Sequence, residues 1–126
     1  MDFELFKGNN KVLKNLCIEI KLQMLLFTMI ELSYVLGYSL NALYVMYLGK
    51  VSLNEFRQIK GYKTGTYVKE WIKGVEDNEF LIEYLLSSDY LKIKDTEIEE
   101  VDYQSVRNNI MQFLERTYEK LVLKCI

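Results

Sequence analysis

Not one of the 126 residues is proline, and only six are glycine. Proline removes an amide donor and clashes with the preceding turn, while glycine inside a helix costs about 1 kcal/mol relative to alanine. A chain this poor in both has few points at which a helix must stop, so a mainly helical fold is expected. Half of the residues are apolar, enough for a packed core, and the length fits one domain spanning 1–126.

Periodicity places the helices. Leu13, Leu16, Cys17, Ile20, Met24 and Phe27 recur at steps of three and four, which predicts a helix over 10–36 capped by Asn9 or Asn10 and ended by Gly37. A second short helix, Ala42 to Leu48, is expected to stop at Gly49. Ser52 and Glu55 form an S-x-x-E capping box ahead of Phe56 and Ile59, and so open a third. The stretch KGYKTG, residues 60–65, reads as a turn. Beyond it Val68, Trp71, Ile72 and Val75 fall at i, i+3, i+4 and i+7, one buried stripe of a fourth helix over 66–76. FLIEYLL (80–86) and YLKIK (90–94) flank Ser87-Ser88-Asp89 and suggest a hairpin. A last helix over 103–124 carries Val106, Ile110, Phe113, Leu114 and Leu121 on one stripe. The expected class is mainly α with a small β-hairpin (α+β).

Several function classes are disfavoured. There is no histidine, the commonest general base and metal ligand, and no glycine-rich phosphate loop, so no enzyme, catalytic residue or cofactor is expected. The acidic run Asp95, Glu97, Glu99, Glu100 and Asp102 lacks the glycine and spacing of a calcium loop; a helix N-terminus accounts for it, and no metal site is expected. Two cysteines, Cys17 and Cys125, make no disulfide framework, and MDFELFKGNN is not a signal peptide. A cytoplasmic protein with reduced thiols follows. From Leu22 to Leu48 the chain is apolar, but Glu31 near the middle costs about 2.5–3.5 kcal/mol in a bilayer, so no membrane span is expected.

Charge is unevenly distributed. Residues 50–73 hold six basic groups against two acidic ones, whereas 74–103 hold ten acidic against two basic. Helix, turn, helix and hairpin across 52–94, with the positive charge on the first half, is the outline of a winged helix-turn-helix. On that reading the helix-turn-helix is 52–78 and the wing 80–94. Thr66, Tyr67, Lys69, Glu70 and Lys73 face the major groove, Lys60 and Lys63 lie near the backbone, Thr64 is a DNA-contact candidate that, like Thr66, can cap the fourth helix, and Ser88, Lys92 and Lys94 lie on the wing.

From about Tyr38 to Ile93 the chain resembles the MarR family of winged-helix regulators, especially its small Sar-type members, the staphylococcal accessory regulators. YSLNALYVMYLGK is similar to the family's second helix, SLNEFRQI to the first helix of the motif, and TYVKEWIKGVEDNEFLIEY to a recognition helix running into the first wing strand. The tip Ser87-Ser88-Asp89 differs, lacking the arginine of the family's Asp-x-Arg motif. The resemblance implies a homodimer joined through the first and last helices (10–36 and 103–124). It also implies a DNA-binding transcriptional regulator that places two recognition helices on a pseudo-palindromic duplex. Some relatives sense oxidants near the position of Cys17, which here reads more simply as a small buried hydrophobe. The acidic 74–103 segment and the missing arginine support the alternative, a protein-interaction module, inhibitor or adaptor, on the same scaffold.

Overall fold

The computed structural model describes the backbone of residues 3–95 and 101–124 and the side chains of 10–95 and 101–124. It is mainly helical, with a two-stranded antiparallel sheet. Two compact units are present, 1–37 and 38–126. The first is one helix, α1 (Phe3–Val35), ended by Gly37 at φ 81°.

The second unit begins with α2 (Leu40–Ile59), whose N-cap Ser39 accepts a hydrogen bond from the Ala42 amide at 3.0 Å. The expected break at Gly49 and fresh start at Ser52 do not occur: both residues lie buried inside α2. Packing overrides the local signals here. A Cβ on Gly49 would stand 2.9 Å from Leu85 Cδ1, so the missing side chain is what lets the next helix approach. That close contact offsets the helical cost of glycine.

After the turn at 61–65 the structure departs from the expected fourth helix. Residues 66–69 run without regular structure into a hairpin, β1 (Glu70–Ile72) and β2 (Val75–Glu76), with Glu70 paired to Glu76 and Ile72 to Val75. The physical reason is legible. Gly74 has φ 81°, a conformation that turns a hairpin but breaks a helix, and the strand alternates Glu70 out, Trp71 in, Ile72 out. The β-branched residues Thr66, Val68, Ile72 and Val75 favour this extended course.

The expected wing at 80–94 is likewise replaced. FLIEYLL belongs to α3 (Asp77–Ser87), followed by a single 3₁₀ turn, Tyr90–Lys92. Glu79 Oε1 accepts from the Glu76 amide at 3.3 Å, and Asp77 and Glu79 place negative charge on the first turn. Leu81 and Leu85, four apart, are the buried face. The helix-turn-helix over 52–78 is thus the end of one helix, a turn and a hairpin.

The last helix is α4 (Tyr103–Tyr118), continued by a π turn (Glu119–Leu123). Asp102 caps it by accepting from the Gln104 and Ser105 amides at 3.1 and 3.2 Å. Its stripe Val106, Ile110, Leu114, Tyr118 and Val122 is buried against Val45, Leu53, Phe56, Trp71, Leu81 and Leu85. Of the stripe expected at a dimer interface, Val106, Ile110 and Leu114 lie in the core of this unit, and Phe113 and Leu121 are half-buried against it. Phe56 sits at the centre of an aromatic cluster, with ring centroids 5.5 Å from Tyr118 and 6.2 Å from Trp71. Glu97, Glu99, Glu100 and Cys125 lie outside the described residues. No described helix is long and apolar enough to cross a membrane.

Candidate interaction surfaces

The one buried charged group among the described residues is Asp77, at the first position of α3. Arg57, in the last turn of α2, grips it with two bonds, Nε to Oδ2 at 2.8 Å and Nη2 to Oδ1 at 2.7 Å. The Tyr67 hydroxyl donates a third at 2.6 Å. Burial pushes the Asp77 carboxyl up, but Arg57 and Tyr67 more than offset this and hold it below the usual carboxylate range. Burial, followed by the bond to Asp77, pushes the Tyr67 hydroxyl up. Every polar atom of this carboxylate is directed at its own chain. The triad therefore clamps α2, the hairpin lead-in and α3 together.

The residues expected to touch DNA are spread around this clamp. Lys60 caps α2 and reaches Glu115 Oε1 at 2.5 Å. Lys63 lies exposed in the turn, with Thr64 and Thr66 bonded back to the carbonyls of Gly61 and Lys60, both at 3.1 Å. Tyr67 is half-buried. Lys69 pairs with Glu76 at 3.0 Å, and Glu70 accepts from the Gly74 amide at 2.5 Å. Lys73 is exposed at the hairpin turn. Ser88 follows α3 and donates to the Leu85 carbonyl at 2.7 Å, Lys92 faces Asp89 at 3.4 Å, and Lys94 is exposed beyond the 3₁₀ turn. Lys50 donates to Asn78 Oδ1 at 2.6 Å. Among the described residues, Lys63 and Lys73 are the two of the six basic groups in 50–73 with no ion pair or side-chain hydrogen bond. Three of the six, Arg57, Lys60 and Lys69, are thus paired with an acid.

Open hollows mark the surface of this unit among the described residues. One, about 590 Å³, is lined by Val51, Asn54, Glu55, Arg57, Gln58 and Tyr62. Another, about 290 Å³, is lined by Phe80, Tyr84 and Phe113 among others. Among the described residues no three His, Cys, Asp or Glu side chains gather closely enough to hold a metal ion.

Helix α1 presents a different kind of surface. From Asn10 to Leu36 every side chain is exposed except Ile30, which is half-buried, and Ser33. Leu13, Cys17, Ile20, Met24, Phe27, Glu31 and Tyr34 recur at alternating steps of four and three. So do Ile18, Leu22, Leu25, Met29, Leu32 and Leu36. At 3.5 residues per turn these two seams lie about 150° apart, on nearly opposite faces of the helix. The sequence stripe traced the first seam; the second was missed, although its signal is the same 3.5-residue repeat. The exposure of Cys17 also corrects its reading as a buried hydrophobe.

No protein-family model, curated protein or solved structure matches the chain.

Proposed function

We propose that this chain is a protein-interaction module whose first partner is a second copy of itself, joined through α1, with residues 38–126 as the folded head. The observation that carries the reading is the exposure of α1's large apolar side chains. Leu22, Met24 and Phe27 are 60, 63 and 66% exposed, and they belong to both faces. Soluble monomers rarely leave contiguous apolar surface of more than a few hundred Å² in water. Covering a large apolar side chain completely stabilises by roughly 1.5–3 kcal/mol, so a half-exposed one has about 1 kcal/mol still to gain. One seam shared by two copies then offers on the order of 10 kcal/mol, within the range that association costs. Assembly is accordingly expected to depend on concentration. A 3.5-residue repeat fits a helix better than it fits a flat or irregular partner, and each copy supplies such a helix.

Duplex DNA is the competing partner. Its carriers on this surface are Lys63 and Lys73, in a turn and at a hairpin tip, positions suited to phosphate rather than to base edges. Light scattering of the full chain, with and without the paired change Leu25→Glu and Phe27→Glu, tests the self-association reading. The expected result is an oligomer that the double change reduces to monomer. A monomer at every concentration that nonetheless retains a labelled duplex at low salt would overturn the reading in favour of DNA.

A further inference from the structure

The two seams of α1 are not equivalent, and charge decides between them. In the first, Glu31 stands at a core position, where a parallel pairing would bury it against its own copy. The second, Ile18 to Leu36, carries no charged residue, and its members are 48–62% exposed. Continued one step toward the N-terminus it reaches Asn15. Written as a heptad, Asn15, Leu22, Met29 and Leu36 share one core position, a, and Ile18, Leu25 and Leu32 the other, d. A single asparagine at a, among apolar layers, is a known means of fixing register and strand number in parallel pairs. The flanks agree. Lys14 falls at g and Glu19 at the following e, the spacing at which g of one strand meets e of its parallel partner. Two symmetric pairs, Lys14 with the partner's Glu19 and the reverse, therefore form only when the strands run the same way. In the antiparallel arrangement g meets g and e meets e, which sets Lys14, Lys21 and Thr28 on one flank and Glu19, Leu26 and Ser33 on the other, with no opposite charges to join.

We infer that α1 forms a parallel, in-register two-stranded coiled coil with a second copy of this chain through the seam Asn15 to Leu36. Cys17, at position c, faces away from the partner. This deepens the self-association reading above and rests on it. Its consequence is geometric: both folded heads leave the coil from the same end, since the head follows Gly37 in each copy. The dimer thereby carries two identical heads, the form needed to engage a partner that itself carries paired sites.

Disulfide trapping in the full chain tests the inference. In a background with Cys17→Ser and Cys125→Ser, Ile18→Cys and Leu32→Cys are made one at a time and oxidised mildly. Each is expected to yield a covalent dimer of itself at high fraction. Wild-type Cys17, in the Cys125→Ser background, is expected to cross-link at least tenfold less. Lys14→Glu should weaken dimerisation, and adding Glu19→Lys should restore it. A cross-link formed only when the Ile18→Cys and Leu32→Cys proteins are mixed would show an antiparallel coil and overturn the inference while leaving self-association intact. Strong trapping through Cys17 would move the interface to the other seam. A monomeric mass for the untrapped protein would overturn both readings.

Discussion

Replacing Asp77 by alanine should be the most damaging single change in the folded head. Its carboxylate is fully buried and accepts three side-chain hydrogen bonds, two from Arg57 and one from Tyr67. Alanine removes the acid and leaves the guanidinium, whose side chain is only 14% exposed, without its counter-charge. Breaking a buried pair from one side typically costs about 3–5 kcal/mol. The stranded Tyr67 hydroxyl would add about 1–3 kcal/mol on its own, but it is half-buried and part of the same network, so the two costs do not add. We expect a loss of about 4 kcal/mol. Urea unfolding followed by tryptophan fluorescence suits the measurement, because Trp71 is the only tryptophan and lies in the core. With a slope of about 1–3 kcal/mol per molar, the midpoint should fall by roughly 2 M. The paired change Arg57→Met with Asp77→Leu should cost less than Asp77→Ala, because it removes both charges. A loss below about 1 kcal/mol for Asp77→Ala, or a paired variant worse than the single one, would refute the clamp.

The same cluster sets the pH limits. Asp77 titrates lower in the fold than in the unfolded chain, so its contribution is full above about pH 4–5 and disappears as pH falls through the folded value. Tyr67 titrates higher in the fold, so stability should decline as pH rises past about 10, where the unfolded tyrosine ionises; urea midpoints across pH check both slopes. Gly61→Ala should cost about 2 kcal/mol or more, because φ is 90° and the new Cβ would lie 1.9 Å from Thr66 Oγ1. Gly65→Ala, with φ 76° and open space around it, should cost less; equal midpoints would contradict the contact. Ser52→Ala should be neutral or stabilising by up to about 1 kcal/mol, since its buried hydroxyl has no hydrogen-bond partner; a marked thermal destabilisation would show that a bond is being made there.

The sequence disclosed the helices whose signals agree at every level. Asp102 before an apolar stripe marked α4, and the stripe from Leu13 to Phe27 marked α1. It misled where local and tertiary signals compete. Ser52 and Glu55 look like a helix start, yet Gly49 permits α2 to run straight through against Leu81 and Leu85. Val68, Trp71, Ile72 and Val75 satisfy helical spacing, but only Trp71 of the four is buried, and Gly74 turns the chain. Phe80 to Leu86 reads as strand by composition, whereas the acidic lead-in Glu76-Asp77-Asn78-Glu79 was the available helix signal. The interaction surface was half visible. Periodicity revealed one apolar stripe on α1, but the reading assigned it with α4 to a shared interface. Only the fold shows that α4 spends its stripe on the core while α1 keeps both seams in water.

On the proposed function, the exposed α1 seams make this chain assemble with itself. Sedimentation equilibrium of the full chain over a wide concentration range measures that directly. The expected result is a reversible approach to twice the 15.0 kDa chain mass or a higher multiple, and a return to 15.0 kDa when Leu22 and Leu25 are both changed to glutamate. A mass of 15.0 kDa for the unaltered chain at every concentration would contradict it.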